Sequence, residues 1–478
     1  MNLKIYFYTI ILSITSLLMS SQNKWTLEDC VNYALDNNIQ IKQQALNVKL
    51  SENRYVQSKA GVLPTLNGNS SQNFTWGRSV DPYTNDFTEN DVNSNNFSLS
   101  SSFIVFNGFQ NINKIKQNKF ELLASIQDVE KMKNDISLNI AAAYLQILFN
   151  QDLLENTEKQ LEITSLQVER TKNMVEAGSL PQGNLLEIEA QFASDELQVV
   201  NSQNQLDISF LNLQQLLDLD SVENFGIIRP EFPELDVSII NFSIKDIYNE
   251  AVNNLPEIKS AEYMLISSEK GLSVAKGGRS PRLSISASFG TGYSNAYENY
   301  FVTDTTFGTV LSGYTQIGTG VYDVYSYNYN LNYDSEVRPF GDQIKDNKST
   351  SLAFSLTIPI FNGLQASKAI SNAKIGVLNA QYSLQLQKNR TYKEIQQKYT
   401  DVLAALKKYY STKKAFSSIE KAFMYSQQKF DVGLMNFVDY NIAKNNFVKT
   451  QSDLIQAKYD YIFKSKILDF YKGIPIKL

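Results

Sequence analysis

The 478-residue sequence has no histidine and one cysteine, Cys30. Without imidazole there is no His-ligated zinc site and no Ser–His–Asp or Cys–His nucleophile. With one cysteine there is no internal disulfide. The Asp and Glu residues are scattered, no phosphate loop is present, and neither a catalytic group nor a cofactor is expected. Cationic charge is also short: 44 Lys and Arg stand against 49 Asp and Glu, a formal net charge of −5. That argues against a nucleic-acid binder, which carries a basic stripe. Past the N-terminal segment, no apolar run reaches the ~20 residues of a membrane-spanning helix. If the chain crosses a bilayer, it must do so as strands.

The N-terminus, MNLKIYFYTIILSITSLLMSSQNKW, has Lys4, an apolar run from Ile5 to Met19 and small residues Ser20 and Ser21. It reads as a secretory signal peptide over residues 1–21, with no cysteine at the cleavage site for a lipid.

What is abundant is repetition. FNGFQN at Phe106–Asn111 returns as FNGLQA at Phe361–Ala366, an offset of 255. The same offset carries Gly178 onto Gly433 and Asn184 onto Asp439. Upstream, WTLEDCVNYALDNN from Trp25 resembles FSIKDIYNEAVNNL from Phe242, and Pro64 falls on Pro281, both at an offset of 217. The 38-residue difference between the offsets lies between the Pro and the FNG, so the chain is an internal duplication with one insertion. Repeat 1 is placed at 22–218 and repeat 2 at 242–472, joined by a segment at 219–241 and followed by a tail at 473–478. The joining segment, with Pro230 and Pro233, lacks heptads and is expected to belt the middle of a helical body.

Each repeat opens with a helix cap, Thr26 with Asp29 and Ser243 with Asp246. Strands are expected at about 62–76 and 95–106, and at about 281–293 and 349–361. In the second of these, Phe97, Leu99, Phe103 and Val105 alternate with Ser98, Ser100 and Ser102; Leu352, Phe354, Leu356, Ile358 and Ile360 alternate with Ser351, Ala353, Ser355 and Thr357. Period two with a small polar face suits a membrane β-barrel, and equally a half-buried soluble sheet. The aromatic, polar stretches Thr75–Phe87 and Tyr322–Tyr333, read as loops at one end of the strands, favour the barrel. After Asn107-Gly108 and Asn362-Gly363, long helices are expected at about 108–177 and 363–432, then returning helices at about 184–218 and 436–472. Their apolar residues recur every seven positions: Ile115, Leu122, Val129 and Ile136, then, after a four-residue step, Ile140, Ile147, Leu154, Leu161, Val168 and Val175. This is coiled-coil packing with a stutter. The copy at offset 255 is apolar except at Thr391. A second seam position is polar (Thr157, Thr164, Thr171), which reads as a wall with one wet side. A helix of ~70 residues spans roughly 105 Å.

Four strands cannot close a barrel, and open edges are not tolerated in lipid. Several copies must therefore share one. A dimer gives eight strands and a trimer twelve, and a wide tube of helices favours the trimer.

With these features in this order, the chain resembles the TolC family of outer-membrane efflux proteins, over about Trp25 to Gly473. The resemblance implies a mainly α fold with a membrane β-barrel portion: a duplicated helix–strand–strand–helix repeat, four strands per chain, in a homotrimer whose twelve-stranded barrel sits on a long α-helical tunnel. It implies an outer-membrane location with the tunnel in the periplasm, a periplasmic adaptor (membrane fusion protein) and an inner-membrane transporter as partners, and a passive exit duct for small molecules. It further implies that the helical turns Ala177-Gly178-Ser179-Leu180 and Val432-Gly433-Leu434-Met435 dock the adaptor, and that Asp439 lines the aperture, where three carboxylates would favour cations. A second aperture acid would fall at Ile442 and a gate tyrosine at Phe430, so both are absent here. Gly108 and Gly363 are expected to turn strand into helix. Two alternatives stand beside this reading: the duct of a type I protein or peptide secretion system, and a non-conducting coiled-coil scaffold of the envelope.

Overall fold

A computed structural model describes residues 23–89, 91–219, 225–230 and 243–474. The expected signal peptide, most of the 219–241 segment and residues 475–478 lie outside the described residues. In chain order the elements are β1 (Asn23–Trp25), α1 (Leu27–Asn37), α2 (Ile39–Ala60), β2 (Thr65–Thr75), β3 (Ser79–Val80), β4 (Phe87–Thr88), β5 (Val92–Phe106), α3 (Gln110–Glu176) and α4 (Gln182–Leu216). Then come β6 (Phe225–Ile227), α5 (Ile244–Asn254), α6 (Pro256–Gly277), β7 (Arg282–Ser294), β8 (Glu298–Ile317), β9 (Gly320–Val337), α7 (Phe340–Asp346), β10 (Ser349–Thr357), α8 (Gln365–Asp431) and α9 (Phe437–Tyr471). The described residues divide into two compact units, one drawn from 23–55, 117–269 and 375–474, the other of Val56–Lys116 and Lys270–Lys374.

The first unit is helical. The Thr26 hydroxyl accepts the Asp29 N–H at 3.1 Å while the Asp29 carboxylate accepts the Thr26 N–H at 3.0 Å, a complete capping box. At the copy, the Ser243 hydroxyl accepts the Asp246 N–H at 3.2 Å. The core is written twice. Cys30, Ala34, Ile41, Ile140, Ile147 and Leu213 are buried in one cluster. Ile247, Ala251, Ile258, Ile395, Val402 and Leu468 are buried in another. These are the same positions shifted by 217 before the insertion and by 255 after it. Cys30 thus occupies an isoleucine's place as a small apolar residue. At roughly 1.5–3 kcal/mol per buried aliphatic side chain, these clusters hold the short helices against the long ones. α3 and α8 each run 67 residues, about 100 Å of helix.

The polar seam differs from the expectation of a wet wall. Thr157, Thr164 and Thr171 are buried. Two of their hydroxyls bond one turn back, Thr157 to the Leu154 carbonyl and Thr164 to the Gln160 carbonyl, both at 2.9 Å. Threonine can enter a packed seam because the preceding turn accepts its proton.

The second unit holds a four-stranded antiparallel sheet in the order β10-β7-β5-β2. The duplication extends to its register. Thr65 pairs with Ser102, and these residues shifted by 217 and 255 are Arg282 and Thr357, which also pair. Rows such as Thr350–Phe289–Leu99 and Phe354–Ile285–Phe103 lie on one face. Ser351–Ser288–Ser100–Asn67 and Ala353–Ser286–Ser102–Thr65 lie on the other. A bulge between Ile104 and Phe106 ends the regular pairing of β5. β10 stops at Thr357, four residues short of the expected end, because Pro359 has no N–H to give a ladder. The larger correction concerns Tyr322–Tyr333. It is not a loop but part of β9, the second strand of a hairpin of 20 and 18 residues. The strands β3 and β4 form a small hairpin within the other expected loop, Thr75–Phe87. No described helix is long and apolar enough to cross a membrane.

Candidate functional site

The residues singled out in the sequence fall at two kinds of turn. At the strand-to-helix junctions, Gly108 (φ 66°) and Phe109 (φ 60°) are both left-handed, as are Gly363 (φ 62°) and Leu364 (φ 65°). A Cβ on Gly108 would sit 2.6 Å from the Gly277 carbonyl oxygen and 2.5 Å from Ser280 Cβ, whereas one on Gly363 would meet nothing within 4 Å. The same motif is therefore packed in one copy and bare in the other.

At the far ends of the long helices the two copies again agree. Gly178 (φ 74°) donates to the Val175 carbonyl at 2.9 Å and Ser179 to that of Met174 at 2.8 Å. Gly433 (φ 75°) donates to Phe430 at 3.1 Å and Leu434 to Lys429 at 2.8 Å. Both are Schellman closures, for which glycine is suited because it takes the left-handed conformation without a Cβ penalty. Leu180 is half-buried and Met435 likewise, while Val432 and Leu434 are exposed. Asp439 is exposed and belongs to a helix cap: its N–H donates to the Asn436 side chain at 2.8 Å, and the Asn436 amide donates back to its carboxylate at 2.7 Å. The other two positions expected at the aperture hold an exposed Ile442 and Phe430, whose ring stacks on Tyr440 at 4.5 Å.

The structure adds residues that the motifs did not show. Toward the turn at Gly178, three polar ties join α3 of repeat 1 to α8 and α9 of repeat 2, all from one face of α3. Thr164 accepts from Lys444 at 2.5 Å, and the same ammonium lies 2.9 Å from the Asp195 carboxylate. Gln167 donates to the Tyr440 hydroxyl. Arg170 donates to the Asp431 carboxylate at 2.5 Å and to its carbonyl at 2.9 Å. The Lys444 side chain is 1% exposed and Asp195 13%. Burial pulls the Lys444 ammonium below its ordinary value, with Asp195 opposing. Burial likewise raises the Tyr440 hydroxyl. Shifted by 255, Thr164, Gln167 and Arg170 become Ile419, Ala422 and Tyr425, so the ties belong to one of the two pseudo-equivalent contacts. An aromatic column of Phe416, Phe447, Phe423, Tyr440 and Phe430 continues along α8 and α9. No group of three or more metal-binding side chains occurs among the described residues.

The sequence pattern of the family described as outer membrane efflux protein matches residues 30–218 and 247–471, the body of both repeats. The chain belongs to this family. Its fold, a helical tunnel with a membrane β-barrel portion, is that of the family, and so are its role as an outer-membrane efflux duct and its place in the outer membrane with the tunnel in the periplasm. This efflux protein is 21% identical to outer membrane protein TolC of Escherichia coli (strain K12) over 391 residues, 80% of this chain and 70% of that one. It is 19% identical to alkaline protease secretion protein AprF of Pseudomonas aeruginosa over 452 residues, 94% and 84% of the two chains. Its fold superposes on the crystal structure of outer membrane protein VceC of Vibrio cholerae with a TM-score of 0.72 at 15% identity, covering 94% of this chain and 97% of that one.

Proposed function

We propose that three copies close one twelve-stranded barrel, that the tunnel tip docks a periplasmic adaptor coupled to an inner-membrane transporter, and that the assembly is a passive exit duct for small molecules. The observation that carries this reading is the sheet with two unpaired edges, β2 and β10. Its four strands alternate in direction, so β10 of one copy meets β2 of the next antiparallel, and any whole number of copies closes without an edge in lipid. The duplication supplies the register of that seam. Inside the chain β5 pairs with β7, Ser98 opposite Gly290 and Ser102 opposite Ser286. Shifting β5 by 255 and β7 back by 217 puts Ala353 opposite Asn73 and Thr357 opposite Asn69 of the next copy. All four belong to the small, polar face, so the lumen stays polar around the ring. The same operation sets bare Gly363 against Ala60 and Leu63 of the next copy, as Gly108 sits against Gly277 and Ser280.

The turns at Gly178, Ser179, Leu180, Gly433, Leu434 and Met435 are then the adaptor-docking surface, with apolar Leu434 and Val432 free to be covered. Asp439 contributes one carboxylate per copy at the aperture. A chain carrying Ala353→Cys and Asn73→Cys, oxidised in the membrane, is expected to give a covalent ladder that stops at three copies, with no ladder from either single variant. A ladder ending at two, or none, overturns the stoichiometry or the register. Photo-crosslinking from position 435 in cells is expected to capture an adaptor; capture of the protein's own subunits alone overturns the docking. The likeness to AprF, whose name refers to alkaline protease secretion, supports a second reading as the duct of a protein secretion system, and the captured adaptor's own transporter decides between the two.

A further inference from the structure

The hairpin β8–β9 pairs only with itself; neither strand joins the four-stranded sheet. It leaves the sheet at the end opposite the helices, between β7 and β10, and runs about 60 Å at ~3.4 Å per residue. Its base is fixed. Gln343 donates to the carbonyls of Ser294 at 2.9 Å and Arg338 at 2.8 Å and accepts the Ser294 N–H at 2.9 Å. The Ser294 hydroxyl bonds buried Asp81. Arg338 donates to the Tyr297 hydroxyl at 3.0 Å. The anchored base carries a two-stranded ribbon, which in water is marginal unless something covers it.

The ribbon's two faces differ. Register puts Tyr300, Val302, Phe307 and Leu311 on one face with Tyr325, Tyr327, Tyr329, Leu331 and Tyr333. The six aromatic rings of this set are each 57–76% exposed. At roughly 150–250 Å² apiece, they leave about 600–1,000 Å² of aromatic surface in water, at or above the upper end of the largest patch a monomer usually shows. The opposite face carries Asp304, Asp334 and Glu336 with Asn328, Asn330 and Asn332. From residue 283 to 337 there is no Lys or Arg. An anionic membrane surface attracts cations and has nothing to hold here. A basic partner would find most of the carboxylates on the other face: on the aromatic face only Glu298 at the base and Asp323 beyond Tyr325 are acidic, and Asp323 accepts from the Tyr325 hydroxyl at 3.2 Å. Between those two acids the strip from Tyr300 to Leu311 and from Tyr325 to Tyr333 carries no charge, and the occupant that fits it is another such aromatic strip. A twelve-stranded barrel with ~4.8 Å spacing and ~40° tilt has a radius of about 12 Å, so three hairpin bases on its rim stand within about 20 Å of one another.

We propose that the three β8–β9 hairpins pack on one another through the Tyr300–Leu311 and Tyr325–Tyr333 face, forming a crown over the outer mouth with the acidic, asparagine-rich face outward. Each aromatic face is covered by a second copy of this chain. The inference rests on the three-copy reading above and adds the use made of the inserted segment.

The test places a single thiol at Tyr327→Cys or, as its neighbour on the other face, Asn328→Cys. Native Cys30 is fully buried with its thiol pushed up to about 12 by burial, so it does not compete. Positions 327 and 328 are exposed, and neither substitution touches the core. The purified protein is sized first, then treated with a short bis-maleimide. A trimer that cross-links at 327 and not at 328 supports the crown. A trimer in which 327 stays free, or is shielded from a water-soluble maleimide without cross-linking, overturns the crown while leaving the shared barrel standing. A protein that sizes as a monomer overturns both.

Discussion

The buried pair at the tunnel end gives the sharpest energetic prediction. Lys444 is held by the Asp195 carboxylate at 2.9 Å and the Thr164 hydroxyl at 2.5 Å. Asp195 is better provided, since Gln191 donates to its other oxygen at 2.7 Å. The two single substitutions should therefore be unequal. Asp195→Asn strands an ammonium that is 1% exposed and should cost about 3–5 kcal/mol, the usual loss when one member of a buried pair is removed. Lys444→Met leaves a carboxylate that keeps Gln191 and, at 13% exposure, contact with water, and should cost about 1–3 kcal/mol. The double variant Lys444→Met, Asp195→Leu removes both charges and should lie close to wild type. Hydrogen exchange of the α9 amides around position 444 reads this locally. At 1.4 kcal/mol per tenfold, Asp195→Asn should speed exchange by about two to three and a half decades. Burial lowers the Lys444 value from its ordinary 10.5, so the opened state binds more protons than the closed one between the lowered value and 10.5. Stability of the tip should then rise with pH across that window, and the rise should vanish in Lys444→Met. If Asp195→Asn exchanges no faster than Lys444→Met, or the double variant is as fast as the worse single one, the reasoning is wrong.

Four further outcomes are expected. Thr391 is fully buried with no partner for its hydroxyl, and its copy is Ile136; Thr391→Val should stabilise the protein by about 1 kcal/mol, seen as a higher melting midpoint. Gly433→Ala meets open space and should cost only the left-handed backbone term, about 1–2 kcal/mol, measured as faster exchange at the turn with the trimer intact. Gly108→Ala meets a carbonyl at 2.6 Å and should reduce folded protein sharply. Gly363→Ala should be equally damaging if the next copy packs there, and should cost only the left-handed backbone term, about 1–2 kcal/mol, if it does not; the recovered amount of assembled protein distinguishes the two.

Much of this architecture was legible because duplication is a strong signal. Two offsets, read from FNG and from the helix caps, carry buried residue onto buried residue and even one strand register onto the other. The residues that escaped notice are those in which the copies differ. Lys444 stands against Glu189, Arg170 against Tyr425 and Asp195 against Thr450, and a search for likeness passes over such positions. The hairpin was hidden for another reason. Tyr325, Tyr327, Tyr329 and Tyr333 alternate with Ser326, Asn328, Asn330 and Asn332, a period of two written in loop-like residues, and composition outweighed the period. The seam threonines misled because polarity suggests water, while a hydroxyl bonded one turn back needs none.

The bare edges also govern the order of events in assembly. All of β2 and all of β10 are exposed in a single chain, so a lone sheet entering lipid would drag two rows of dry amides with it. The bilayer therefore acts as a checkpoint on stoichiometry. On the shared-barrel reading, partners are expected to meet while water still serves those edges, and a cell that makes too little of this protein is expected to hold waiting single chains in the periplasm instead of incomplete pores in its outer wall.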